Sequence, residues 1–310
     1  MNAVYQVLVL LFLMLTGFIC AKIKLTGPDM AQYFSTFIIY ISLPALLFSS
    51  FQRPFSQELL HEAGLVFGLS ALVYGLSFLI AFIYPRILRI KGPERGVHRY
   101  ALIISNCGFI GYPMVEAILG PSYIFHAVIY NIPYSFLAFS VCSLLISKEG
   151  KQSPEITWKT LINPNVIATF LGLLCFIFSV RLPDPLYRSF KMAGDVTSPL
   201  SMIVIGTTLA QANVRQVFGR WQVYVTTAMR LLILPTVVGL LFYVLGIRGP
   251  LFVMGVLITA MPVGSSTSIL ASLYKTAPEE ASSLVFLSTL LCIVTVPLVV
   301  SVATTIGVTL

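Results

Sequence analysis

Long apolar runs separated by short polar loops recur from one end of the chain to the other. A helix that crosses a bilayer needs about 20 mostly apolar residues, and uncharged stretches meet that length at residues 3–21, 31–52, 63–85, 160–180, 196–214 and 249–274. Between Tyr100 and Ser147, Glu116 and His126 are the only acid and histidine, and no Lys or Arg occurs. That stretch is too long for one span, so Gly120-Pro121 is read as the turn between two. Residues 222–247 contain Arg230 and residues 281–310 contain no charge. The pattern therefore predicts ten transmembrane helices in an all-α membrane protein.

Composition agrees with the pattern: 57% of the 310 residues are hydrophobic and 10% are charged, and mean hydropathy is +0.94. Soluble domains carry about 25% charged residues. The net charge of +8 belongs to loops beside lipid, and no basic cluster with interleaved aromatics indicates nucleic acid. Cys20, Cys107, Cys142, Cys175 and Cys292 lie in apolar runs without CxxC spacing, so neither a metal site nor a disulfide framework is expected. Residues 3–21 lack a positive n-region and are read as a retained first span rather than a signal peptide.

Lys and Arg in the short loops set the orientation. With the N-terminus outside, cytoplasmic loops carry 13 of them and outer loops 5. A multi-pass protein of the plasma membrane with both termini outside is expected.

Lining the spans up by order pairs Pro44 with Pro199, Pro113 with Pro262 and Pro133 with Pro297, at offsets of 155, 149 and 164 residues. Each half holds five spans, an odd number, so the second begins from the opposite side of the membrane. The expected domains are residues 1–147 as the first five-helix repeat, 148–163 as a short cytoplasmic linker and 164–310 as the second, inverted repeat. Inverted repeats are characteristic of secondary transporters.

The chemistry is concentrated in the fourth span, ISNCGFIGYPMVEAILG (Ile104 to Gly120), and the ninth, ITAMPVGSSTSILASLY (Ile258 to Tyr274). Gly111 and Pro113 flank Tyr112, and Pro262 and Gly264 flank Val263, so both helices are expected to break there. Freed backbone groups at membrane depth need partners in protein or a wet cavity. Two such breaks crossing near the midplane would present half-helix N-termini, a site for an anionic group. The other reading is that these residues only kink their helices.

The segments NCGFIGYP, PLSMIVIGTTLA, MRLLILP and ASSLVFLSTLLCIVTVPLV resemble the auxin efflux carrier family of bacterial and plant transporters, within the bile acid/auxin carrier superfamily. The resemblance covers essentially the whole chain. Asn106, Gly111 and Pro113 are similar to the first crossover motif, and Pro262 with Gly264 to the second. The resemblance implies helices 1, 2, 6 and 7 as scaffold and helices 3–5 and 8–10 as a moving crossover domain, with elevator-like alternating access. It also implies transport of organic acids, including auxin and malonate or malate, and a homodimer formed through the scaffold helices. The loop Lys148 to Asn163 is short beside that of the long plant carriers, so regulation through it is not expected and auxin is in doubt as the substrate.

Asn106 could donate to a carboxylate or tie the crossing together. Ser265, Ser266, Thr267 and Ser268 could bond a ligand or their own helix. Tyr130 and Asn131, before Pro133, are candidate pocket wall. Arg230 could pair an anion or snorkel to the interface. Glu116, in the first turn after Pro113, could couple anion binding to a proton, face a sodium ion, or simply suit the helix dipole. The preferred function is secondary transport of a small organic anion, without a cofactor and with H+ or Na+ coupling open. Sodium-coupled uptake is the alternative, and a sensor built on a transporter fold is weaker. A membrane enzyme would want paired acids, a His cluster or a Ser with a base, and no nucleotide loop supports a primary pump.

Overall fold

The computed structural model describes residues 3–139, 141–147, 163–211 and 220–308. Helix α1 is Ala3–Lys22, and α2 (Pro28–Phe37) passes through a π-helical turn, Ile38–Ser42, into α3 (Leu43–Ser50). Then come α4 (Gln57–Ile87) and α5 (Glu94–Ile103), a second π turn at Cys107–Gly111, and α6 (Tyr112–Leu119). They are followed by α7 (Ile124–Tyr130), α8 (Ile132–Phe139), α9 (Val141–Ser147), α10 (Pro164–Ile177), α11 (Asp184–Asp195) and α12 (Thr197–Gln211). After α13 (Trp221–Ala228), a third π turn at Met229–Ile233 leads to α14 (Leu234–Val244), α15 (Gly249–Thr259), α16 (Ser266–Leu273) and α17 (Pro278–Val308). Among the described residues the one extended pairing is an isolated antiparallel bridge between Ser105 and Val263.

The stretches Tyr5–Lys22, Asp29–Ser50, Gln57–Ile87, Trp221–Val244 and Pro278–Gly307 are long and apolar enough to cross a membrane. Cys107–Leu119, Pro164–Ile177 and Gly249–Thr259 are shorter apolar helices. The linker expected at 148–163 lies outside the described residues except for Asn163. That asparagine caps α10, its Oδ1 accepting from the amides of Asn165 and Val166 at 3.0 and 3.1 Å, with Pro164 at the first helical position where no amide is missed. The turn expected at Gly120-Pro121 is present: α6 stops at Gly120, whose φ of +93° suits glycine.

All three π turns have one sequence logic. Each is followed by an α-helix with proline as its second residue: Pro44, Pro113 and Pro235. A proline inside a helix collides with the carbonyl four residues back and cannot donate to it. The wide turn relieves this: Leu43 N–H reaches back to Ile38 O and Leu234 N–H to Met229 O, five residues rather than four. Gly111-Tyr112-Pro113 is therefore part of a continuous helical path, with Gly111 in right-handed helical geometry, and not the break the sequence predicts.

The described chain divides into two compact units: residues 1–68, 108–132 and 161–212, and residues 69–107, 133–160 and 213–310. In the first, α1 packs along α12 where glycines let backbones touch. A Cβ on Gly17 would overlap the Ile203 carbonyl, and one on Gly206 the Met14 carbonyl. Small residues at such crossings are the usual basis of close helix packing in membranes. Gly194 of α11 lies against the Leu46 backbone of α3, and Gly172 of α10 lies against the Phe51 ring. Phe51, Phe125 and Phe176 have ring centroids 5.2 Å apart in successive pairs. Helix α11, which the span pattern leaves as loop, carries the i,i+4 ion pairs Asp184–Arg188 and Lys191–Asp195.

The second unit has a core of Val97, Ala101, Val223, Val263, Ala271, Ala281, Leu284 and Leu287, contributed by α5, α13, α16, α17 and the segment before α16. Gly96 of α5 sits so close to the Leu145 carbonyl of α9 that a Cβ would overlap it.

Candidate functional site

In the second unit two helices stop short and lie backbone to backbone. Helix α5 ends at Ile103, and Ile104 turns to φ −100°, ψ 115°; helix α15 ends at Thr259 and α16 starts at Ser266. The extended residues pair: Asn106 N–H donates to Pro262 O at 2.9 Å, and Gly264 N–H donates to Ile104 O at 3.1 Å, with Ser105 opposite Val263. A two-bond fragment of sheet thus satisfies groups that the helices release, as dry surroundings demand. Val263 N–H finds Ser288 Oγ at 3.0 Å. Gly264 leaves little room, for a Cβ there would stand 3.2 Å from Ser105 O.

Arg230 completes the junction. It is 2% exposed; its Nη1 donates to Leu102 O at 2.8 Å and its Nε to Met261 O at 3.1 Å. These carbonyls end α5 and follow α15, where a helix has orphan acceptors and partial negative charge. One guanidinium therefore caps both interrupted helices with a full positive charge. Its backbone sits in the Met229–Ile233 π turn, which the Pro235 ring requires. The alternative that Arg230 snorkels to the interface is overturned by this burial.

The expected site residues divide between the units. Asn106, 9% exposed, lies in the break itself, not a turn and a half ahead of it; Pro262 and Gly264 form the facing strand. Ser266 Oγ accepts from Tyr100 OH at 3.0 Å, and Ser268 Oγ pairs with Ser282 Oγ at 2.9 Å. Ser265 is exposed. Thr267, in the first turn of α16, is fully buried, and its hydroxyl has no hydrogen-bond partner.

Gly111, Tyr112, Pro113, Glu116, Tyr130 and Asn131 belong to the first unit. Glu116 accepts from Ser198 Oγ at 2.5 Å, and Tyr130 and Asn131 are buried where α7 ends. His126, given no role from sequence, is buried against Glu62, Nε2 to Oε2 2.9 Å.

Arg230 is the residue that sequence reasoning weighed but did not place in the site. The sequence signal was present, a lone cation in an apolar span five residues before a proline, but the carbonyl it caps at Leu102 is 128 residues away. No cluster of three or more His, Cys, Asp or Glu suited to a metal occurs among the described residues.

Comparison with known proteins identifies the company this chain keeps. A family model described as "Membrane transport protein" matches residues 2–300. An "Uncharacterized transporter" of Methanothermobacter thermautotrophicus is 26% identical over 96% of this chain and 97% of its own length. A "Putative malonate transporter" of Rhizobium meliloti is 24% identical over 92% of this chain and 90% of its own. Auxin efflux carrier component 1 of Arabidopsis thaliana is 24% identical over 44% of this chain, which is 23% of that longer protein.

Proposed function

Since the chain belongs to the membrane transport protein family, that of the auxin efflux carriers, we propose that it is a secondary transporter of a small organic anion, with malonate-like dicarboxylates the first candidates. The relative named for malonate supports the substrate class. The observation that carries the site is Arg230: a buried guanidinium capping both broken helices places a full cation at the crossing, against the partial negative charge of the two helix ends. The unpartnered Thr267 hydroxyl and the N-terminal end of α16 add donors there. Asn106 supplies a side-chain amide. All of these residues lie in one unit.

Backbone carbonyls at broken helices are the groups that hold sodium in ion-coupled carriers. Here two of them hold Arg230, which favours anion binding without sodium over the sodium-coupled alternative. The relatives' names agree with a carrier rather than an enzyme. We further propose ten spans as a 5+5 inverted repeat, moving by an elevator-like step, with both termini outside the plasma membrane and a homodimer through helices 1, 2, 6 and 7. Labelling of single cysteines with an impermeant reagent, positive at Arg188 and negative at Lys91, tests that orientation.

The test of function is a thermal-shift screen of the purified protein against mono- and dicarboxylates, with and without sodium. A ligand at a hundred times its Kd stabilises the folded state by about 2.7 kcal/mol. Stabilisation by malonate that is indifferent to sodium supports the proposal; stabilisation only with sodium overturns the role given to Arg230.

A further inference from the structure

Helix α5, whose last carbonyls reach the crossing, also carries His98, a fully buried histidine that the anion site does not use. Its Nε2 lies 3.0 Å from Glu280 Oε1 of α17, and its Nδ1 lies 2.6 Å from Thr226 Oγ1 of α13. Thr226 Oγ1 is in turn 2.7 Å from Tyr84 OH of α4. Glu280, 8% exposed, shares its second oxygen with Arg220 at 3.5 Å, and Arg220 also pairs with Glu94. The Arg220 and Glu94 side chains are 53% and 29% exposed. A continuous line of ionisable groups thus runs from the protein surface to a histidine in the interior.

We propose that His98 is a proton-binding site coupled to the anion at the crossing, the proton entering past Glu94, Arg220 and Glu280. This rests on the anion site proposed above.

The network is built for two protonation states. In the neutral state imidazole Nε2–H donates to Glu280 and Nδ1 accepts from the Thr226 hydroxyl. In the charged state one proton, taken from water, occupies Nδ1 and is donated to Thr226 Oγ1. The Thr226 and Tyr84 hydroxyls can each donate or accept, so the line can reverse its direction without an atom moving far. The elements packed against α5 also carry Glu279 (α17), Arg230 (the π turn), Tyr224 (α13) and Cys142 (α9), and α5 itself carries Arg95 and Arg99.

The connection to the anion is short. His98 and Leu102, whose carbonyl Arg230 caps, are one helical turn apart, a rise of about 6 Å. A positive charge gained at about 10 Å from a bound anion, at an effective dielectric constant of about 20, changes affinity roughly tenfold. By reciprocity, anion binding then draws a proton onto the protein by the same factor.

The experiment uses the full chain in detergent and malonate as the probe. Proton uptake on adding malonate is followed with an indicator dye in weak buffer near pH 7. Malonate affinity, expressed per dianion present because malonate itself takes up a proton at the lower pH, is measured at about pH 5.5 and pH 8, either side of the usual histidine range. Wild type is expected to take up a proton and to bind malonate about tenfold tighter at the lower pH. In His98→Gln both effects disappear while binding persists. Thr226→Val serves if His98→Gln does not fold, and is expected to weaken the pH effect in the same direction. Uptake that survives in His98→Gln, or wild-type binding indifferent to pH, overturns the proposal.

If malonate does not bind at any pH, the anion reading is what has failed. Histidine NMR then decides the rest: an imidazole assigned by its loss in His98→Gln must titrate between about pH 5 and 8, and failure to titrate sinks the proton site independently.

Discussion

Two helix crossings are built differently: α1 and α12 of the first unit meet at glycines, whereas the interrupted helices of the second unit meet around a buried cation and hydroxyls. Gly17, Gly194 and Gly206 let α1, α3, α11 and α12 approach to backbone contact, and Gly172 of α10 receives the Phe51 ring, which packs in turn against Phe125, and Phe125 against Phe176. The second unit buries Arg230, His98, Glu280, Thr226 and Ser288 around interrupted helices. Dispersion in a close-packed apolar contact is insensitive to what passes by. A buried polar junction changes in energy whenever a nearby charge or proton does. On the function proposed above, the first kind of contact serves as rigid packing and the second as the part that responds to ligand.

That assignment can be broken from either side. Gly206→Leu, which drives a side chain into the Met14 carbonyl, should cost roughly 4 kcal/mol or prevent folding; size-exclusion profile and Tm report it. Arg230→Met strips the caps from two carbonyls and removes the charge. Malonate affinity should fall by about 100-fold or more, with a lower Tm, because losing one partner of a buried charged hydrogen bond costs about 1.5–3 kcal/mol per bond. Arg230→Lys should recover only part, since an ammonium is a point charge without the planar fork.

Asn106→Ala keeps the backbone bond to Pro262 and loses only the side-chain amide. Affinity should drop about tenfold to 100-fold, with the protein still monodisperse; unchanged affinity would place the anion elsewhere. The smallest effect is expected from Glu116→Gln, which alters a first-unit carboxylate held by Ser198. Calorimetry should find malonate affinity and proton uptake unaltered. A change in proton uptake would move the coupling site to the first unit and erase the contrast.

The apolar runs made the long helices legible because the bilayer's thickness imposes a length that survives any detail of packing. The ninth-span break was legible as well, since Pro262 and Gly264 stand where the chain opens. The fourth-span break was misplaced by several residues. Gly111 and Pro113 advertised an interruption that the π turn absorbs. The true one, at Ile104–Asn106, is made by a partner strand and not by local residues. His98 was hidden for a related reason. It lies in what the sequence reads as a charged loop, and its carboxylate partner is 182 residues away. A single sequence shows residue types but not which distant residues meet.

The bridge between Ser105 and Val263 also bears on how the protein is made. Ile104 O, Leu102 O and Asn106 N–H take their partners from Gly264, Arg230 and Pro262, so during synthesis they wait for residues that lie 160, 128 and 156 positions further along the chain. Each unmatched group held in hydrocarbon costs several kcal/mol. The nascent segment around Ile104–Asn106 would therefore linger at the translocon or the headgroup layer until the segment around Pro262 arrives, making assembly of this junction a late and slow event with long loops to close. A fragment truncated before Arg230 should be degraded in the cell, and co-expression with the missing carboxyl-terminal piece should rescue it.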